Sequence, residues 1–159
     1  MITKFTQFNE GIKNLLVGPT EDEVWDKLKG LSPDDLLDKS SVSDFLPGVK
    51  KAVELGADIH VQNDIFLRDA ASRGYIDIIE YIISIGVEID ILHQEALRFA
   101  SMNNHFDIVK LLLEHGSKVD SIGGKIALRV AKEKGFTRTY RLLKEYYNEE
   151  RSKKKWWKK

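Results

Sequence analysis

The chain has 159 residues, of which 42% are hydrophobic and 31% are charged, a balance typical of one globular domain with a buried core. It contains no cysteine, which excludes disulfides, cysteine nucleophiles and thiolate zinc sites and favours a reducing, cytoplasmic compartment. No segment has the apolar run of a signal peptide or the roughly 18 apolar residues of a membrane span, so we expect neither. Basic and acidic residues balance at 25 each, but six of the basic ones lie in residues 151–159, which leaves residues 1–150 with a net charge of about −6.

Residues 1–33 are predicted to form an N-terminal helical cap. Thr20 and Glu23 have the spacing of a capping box at a helix start, and Ser32 followed by Pro33 marks the start of another helix. Five apolar residues upstream are spaced for one helix face, namely Phe5, Phe8, Ile12, Leu15 and Leu16. This segment either covers the open apolar end of a stack or is a separate docking or targeting element.

Three glycines at a spacing of 30 residues, Gly56, Gly86 and Gly116, reveal an internal repeat. On this period residues 67–86 align with residues 97–116. With one inserted residue, the same 30-residue register continues into a further unit after residue 116, and a weaker copy of the pattern precedes residue 67. We therefore predict four repeats over residues 34–149, followed by a tail at 150–159. The predicted units are residues 34–64, 65–94, 95–124 and 125–149.

Each unit is predicted to contain two helices. The first helix ends at a residue that tolerates a left-handed backbone, as at Gly74, Asn104 and Gly135. The second helix, for example residues 76–85, has an acidic first turn that suits the helix dipole, and it ends at another glycine. A short extended piece with alternating character follows each pair. The first helices are predicted at residues 67–73, 97–103 and 128–134, and the extended pieces at 57–64, 87–94 and 117–124.

Small residues inside the first helices indicate how the units pack. Ala70, Ala100 and Ala131 lie where two helices must approach closely. The second helices carry an apolar stripe, which includes Ile79 and Ile82, that a single helix pair cannot bury. Because stacking of neighbouring pairs would bury this stripe, the predicted fold class is an all-α helical solenoid.

The residue pattern L-x-x-A-(A/S)-x-x-(G/N)-(H/Y/F)-x-(D/E)-(I/V)-(I/V) begins at both Leu67 and Leu97. It resembles ankyrin repeats, and the resemblance covers residues 36–147. The chain departs from the family in lacking the Thr-Pro that starts the first helix. Its unit has 30 residues instead of about 33, so the hairpin fingers are expected to be short. This compact form is similar to ankyrin proteins abundant in large DNA viruses and also found in some phages and bacteria.

The resemblance implies a non-catalytic protein that captures or occludes a partner protein through finger loops and a concave face formed by the first helices. If the chain is viral, the resemblance implies a host defence or regulatory protein as partner and the host cytoplasm as location. The finger residues expected to contact the partner are His60, Gln62, Asn63, Asp64, Leu92, His93 and Gln94. Those expected on the first helices are Asp69, Arg73, Phe99, Met102, Asn103 and Lys134.

Phe99 is the expected anchor of this contact. A large aromatic side chain at an outward helix position is unusual without a partner. Packing against Phe66 would explain it equally well.

The last residues form a basic and aromatic tail. The side chains expected to contact a ligand there are Lys153, Lys154, Lys155, Trp156 and Trp157. Four interpretations stay open: a frayed or back-packed helix end, a partner or acidic-surface contact, nucleic acid bound by stacking, and an anionic membrane surface. The absence of a second basic patch in the sequence disfavours nucleic acid.

The sequence offers no recognisable catalytic or metal-binding pattern. Its four histidines are His60, His93, His105 and His115. No two of them form an H-x-x-x-H pair, and none is spaced from acidic residues as metal ligands are. Gly123-Gly124-Lys125 lacks the preceding glycine and the following Ser or Thr of a phosphate loop. We therefore expect no metal, no cofactor and no enzymatic activity.

Overall fold

The computed structural model describes residues 21–59, 65–86 and 92–156. Within these ranges the chain forms nine α-helices and no strand, which confirms the predicted all-α class. The helices are α1 (Glu21–Leu28), α2 (Pro33–Val42), α3 (Leu46–Glu54), α4 (Ile65–Arg73), α5 (Ile76–Ser84), α6 (Leu92–Met102), α7 (Phe106–Glu114), α8 (Ile122–Glu133) and α9 (Thr137–Trp156).

The chain divides into two compact units, Met1–Asp58 and Ile59–Lys159. The described part of the first unit contains α1, α2 and α3, and that of the second contains α4 to α9. The predicted boundaries of cap, repeats and tail stay predictions, and the apolar residues 5–16 of the predicted cap lie outside the described residues.

In the first unit, α2 begins where the sequence predicts. Ser32 is its N-cap, and its hydroxyl oxygen accepts a hydrogen bond from the backbone N–H of Asp35 at 3.2 Å. The helices α2 and α3 pack closely because Gly48 lies against Ser40, where an added Cβ would approach the Ser40 Oγ to 2.2 Å. A small residue is therefore required at this crossing.

In the second unit, three helix pairs stack: α4 with α5, α6 with α7, and α8 with α9. The first helices α4, α6 and α8 contact one another in sequence and form one layer, and α5, α7 and α9 form the second. Ala70, Ala100 and Ala131 are completely buried, as the close approach of the first helices requires. The stacking predicted from the apolar stripes is therefore present in this unit.

The turn between the two helices of each pair repeats the same backbone geometry. Gly74, Asn104 and Gly135 all have a left-handed backbone, with φ values of 88°, 60° and 72°. After each, the next N–H returns to a carbonyl in the first helix, as in the 2.9 Å bond from His105 to Ala100. Asp44 in the first unit has the same conformation (φ 54°), although it was not singled out from the sequence.

Two predicted helix boundaries are wrong. The first helices α6 and α8 begin at Leu92 and Ile122, several residues before the predicted starts. The last residues of the predicted extended pieces 87–94 and 117–124 are therefore helical. The hydroxyl oxygen of Ser121 accepts a hydrogen bond from the backbone N–H of Gly124 at 3.0 Å and caps α8. Gly124 is buried in this first turn, where an added Cβ would meet the Lys118 carbonyl oxygen at 2.4 Å.

Candidate functional site

The exposed side of the first-helix layer in the second unit carries six residues predicted to contact a partner. We call this surface the first-helix face; it is the solvent-exposed side of α4, α6 and α8 together with the residues that directly follow α6 and α8. The six residues are Asp69, Arg73, Phe99, Met102, Asn103 and Lys134. Arg73, Asn103 and Lys134 are exposed and the other three are half-buried, so all six are accessible on one layer.

Two guanidinium groups contact the ring of Phe99. The Cζ of Arg98 is 4.2 Å from the centroid of its ring, and the Cζ of Arg68, on the preceding first helix, is 5.7 Å away. Cation–π contacts of this kind are worth about 0.5–1 kcal/mol at exposed sites. Phe66, by contrast, is buried with 2% of its surface exposed. The aromatic ring is therefore held at the surface by arginines from two successive repeats.

Arg98 is held in place by further contacts on its own helix. It forms an ion pair with Glu95 one turn earlier, and its Nη1 lies 3.7 Å from the Sδ of Met102 one turn later. The side chain of Met102 is thereby placed next to the Phe99 cluster. Phe99 and Met102, the two apolar residues predicted on the first-helix face, therefore lie beside the guanidinium group of Arg98, whose position the ion pair with Glu95 restricts.

Asn103 and Lys134 have a role that was not predicted. The amide nitrogen of Asn103 donates to the carbonyl oxygen of Ser72 at 3.0 Å, and the Nζ of Lys134 donates to the carbonyl oxygen of Met102 at 2.9 Å. The two donors occupy the same position in consecutive repeats, and so do the two acceptors. These side chains therefore join the end of a first helix to the end of the first helix in the preceding repeat. The sequence does contain one signal for this role, because a side chain with an N–H donor occupies the same repeat position in both units.

The turns between paired helices line a groove on the second unit. Its volume is about 610 Å³, and its lining includes Gly74, His105, Phe106, Gly135 and Arg138. The ring of His105 fills the space over Gly74, where an added Cβ would come within 2.7 Å of it, and its Nε2 lies 2.9 Å from the Ser72 carbonyl oxygen. His105 therefore links repeats through a loop hydrogen bond, as a structural histidine does.

The predicted finger residues fall into two groups. His60, Gln62, Asn63 and Asp64 lie outside the described residues. Leu92, His93 and Gln94, which were predicted to lie in a loop, are in the first turn of α6. That part of the prediction is wrong because α6 starts earlier than the apolar periodicity indicated. Their contact with a partner stays a prediction.

The predicted tail continues the last helix. Lys153, Lys154, Lys155 and Trp156 lie in α9, and Trp157 lies outside the described residues. Near the end of α9 the carboxylate of Glu150 accepts hydrogen bonds from the N–H groups of Val119, at 2.9 Å, and Asp120, at 2.8 Å. The last helix therefore fixes the turn that precedes α8.

An ion-pair cluster strengthens this contact. Asp120 lies 2.7 Å from the Nζ of Lys125 and 2.6 Å from the Nζ of Lys154. A hydrogen bond from Lys125 and a smaller effect of the hydrogen bond from Lys154 lower the pKa of Asp120 to about 2. The same bond to Asp120 raises the pKa of Lys154 above its ordinary value. One of the predicted tail lysines is thus engaged within the protein.

The described residues contain no group of three or more His, Cys, Asp or Glu side chains placed to hold a metal ion. Among the helices described, none is long and apolar enough to cross a membrane.

A family model described as ankyrin repeats (3 copies) matches residues 43–122 and 67–154 of the chain. The two matches together span residues 43–154, which is well over half of the 159 residues. Comparison with curated proteins finds no match.

Proposed function

The chain belongs to the ankyrin-repeat family, and from this premise we propose that it is a non-catalytic module that captures or occludes a partner protein. Ankyrin repeats are generally protein–protein interaction modules. The proposed contact surface is the first-helix face, extended by the finger loops. A stack of repeats supports this use because it displays a continuous surface formed by equivalent positions of successive units.

The observation that carries the proposal is the position of Phe99 among the arginines of two repeats. Aromatic and arginine side chains are enriched among residues that dominate binding energy at interfaces. Contacts from Arg98 and Arg68 restrict the ring before any partner arrives. Less side-chain entropy is then lost on association, which favours binding.

We extend the proposal to a viral or phage protein that acts on a host factor in the host cytoplasm. The support is the shortened unit: the glycines that end the second helices recur every 30 residues, and the first helices start without Thr-Pro. A host defence or regulatory protein is the partner class that this origin favours.

Affinity capture with the full chain as bait, followed by mass spectrometry, tests the proposed function. Phe99→Asp and Arg73→Glu are expected to reduce recovery of the captured protein at least tenfold, a loss of about 1.4 kcal/mol. Lys110→Glu is the matched control, because Lys110 is exposed on α7 in the second layer. All three variants should keep their helical content and remain folded at the assay temperature, although loss of the Phe99 contacts and of the Lys110–Glu114 ion pair lowers the thermal midpoint slightly.

Undiminished capture by both first-helix variants would refute the proposed surface. Equal losses in the Lys110→Glu control would show that the captured protein responds to net charge alone.

A further inference from the structure

The first-helix layer of the second unit has a positive charge balance. The first helices α4, α6 and α8 carry six basic and three acidic residues. The second helices carry four basic and seven acidic residues as far as Glu150, and the end of α9 adds four basic residues to them. Since residues 1–150 are acidic overall, the positive balance of the first-helix layer runs against the composition of the chain.

Arginines at one register position account for half of the basic residues in this layer. Arg68, Arg98 and Arg129 are equivalent in three consecutive repeats, once the single inserted residue is allowed for. Helices α4, α6 and α8 lie side by side, so these positions form a row across the layer. The planar guanidinium group suits such a row to carboxylates, which it binds with two parallel hydrogen bonds.

The three arginines differ in how far they are neutralised. Arg98 pairs with Glu95 on its own helix. Arg129 lies 4.0 Å from Glu133, and both side chains are about two-thirds exposed (67% and 65%), so the pair is weak. Arg68 has no acidic partner among the described residues and contacts the ring of Phe99.

Arg68 is therefore suited to bind an incoming carboxylate. Its contact with the Phe99 ring is a cation–π contact, which does not use the guanidinium N–H groups as hydrogen-bond donors to a carboxylate. Arg73, exposed at the end of the same helix, likewise has no acidic partner among the described residues. Arg68 lies next to the ring that the proposed function uses as an anchor, and Arg73 lies at the end of the same helix.

We infer that the partner of the first-helix face is a protein segment rich in Asp and Glu, whose carboxylates pair with Arg68, Arg73 and Arg129. This inference rests on the proposed function and names the partner's chemistry. Complementary charge would steer association and make it dependent on salt. Asp69, Glu95 and Glu133 are interspersed with the basic residues. A peptide can place its carboxylates opposite the arginines and its uncharged residues opposite these acids, whereas phosphates recur at every nucleotide, which favours a peptide over nucleic acid.

Selection of a random peptide library on the full chain tests the inference. Peptides selected on the wild-type protein should be enriched in Asp and Glu, and this enrichment should disappear on an Arg68→Glu/Arg73→Glu double variant. The Lys110→Glu variant of the second layer should select the same acidic peptides as the wild type. A selected acidic peptide should bind the double variant at least about tenfold more weakly, and its affinity for the wild type should fall with salt.

Each other outcome overturns the inference. Selected peptides without acidic enrichment would contradict it while leaving the proposed surface intact, provided that Phe99→Asp abolishes their binding. Acidic peptides that bind the double variant equally well would place their site elsewhere. Binding of oligo-dT that depends on Arg68 and exceeds that of the peptides would assign the row to nucleic acid. A selection without enriched peptides would also count against it.

Discussion

The contact between Glu150 and the turn before α8 offers a sharp test of how the last helix stabilises the stack. Replacing Glu150 with Ala removes the acceptor for the N–H groups of Val119 and Asp120. Hydrogen bonds to charged groups contribute about 1.5–3 kcal/mol each when sheltered from water. Glu150 is half-buried, so water replaces part of this, and we expect a net loss of about 2 kcal/mol.

This loss has measurable consequences. For a protein of this size, about 2 kcal/mol corresponds to a decrease of roughly 4–8 °C in thermal midpoint. Urea unfolding followed by circular dichroism gives the free energy directly. Hydrogen exchange adds a local readout, because the amides of Val119 and Asp120 should lose protection before those of the buried α6 and α7.

The neighbouring Glu149, which is exposed, supplies the control. Glu149→Ala should change the unfolding free energy by less than about 0.5 kcal/mol. Glu150→Gln retains one carbonyl acceptor and should fall between the two. If Glu150→Ala and Glu149→Ala unfold alike and the two amides keep their protection, the last helix does not stabilise this turn as described.

Three further predictions concern the same end of the protein. The pKa of Asp120 is lowered from 3.8 to about 2, so its contribution to stability should be present above pH 3.8 and be lost as the pH falls through about 2. An NMR titration of the Asp120 carboxyl group should show this low pKa. Gly124→Ala should destabilise the fold by about 1–3 kcal/mol in urea unfolding because its Cβ would clash with the Lys118 carbonyl, and an unchanged midpoint would contradict the close packing. Deleting residues 151–159 should leave protein capture intact but lower the thermal midpoint, because the ion pair of Lys154 with Asp120 is lost. If the full chain binds DNA, RNA or liposomes in a salt-sensitive way and the deletion abolishes this binding, the alternative role of the tail gains support.

The repeat was predictable because its signals are local. A residue with positive φ must end each first helix, and Gly74, Asn104 and Gly135 are residue types that tolerate it. The burial of Ala70 and Ala100 follows from the same register. Periodicity therefore identified the helix pairs and their stacking.

The start of α8 was not predictable from periodicity. Gly123 and Gly124 have low helix propensity and indicate a loop, yet tertiary packing requires them in the first helical turn. A side chain at Gly123 would come within 2.6 Å of the Gln94 carbonyl oxygen of the preceding repeat. The constraint comes from a neighbouring unit, which a local pattern does not contain.

The candidate site was only partly predictable for a similar reason. An exposed polar residue on a first helix has the same sequence signature whether it contacts a partner or the preceding repeat. Asn103 and Lys134 hydrogen-bond to Ser72 and Met102 of the preceding repeat, so the distinction depends on tertiary structure. The hydrogen bonds that the N–H groups of Val119 and Asp120 donate to Glu150 likewise join positions about 30 residues apart.

Site-specific photo-crosslinking shows directly whether the partner binds through the first-helix face. A photoreactive p-benzoylphenylalanine is placed at Asp69 or Met102 on the first helices, and at Lys110 or Arg141 on the second helices as matched controls. Binding through the first-helix face should give covalent capture of the partner from the first two positions and none from the other two. Crosslinks from Lys110 or Arg141, with none from Asp69 and Met102, would show that the partner binds the opposite layer.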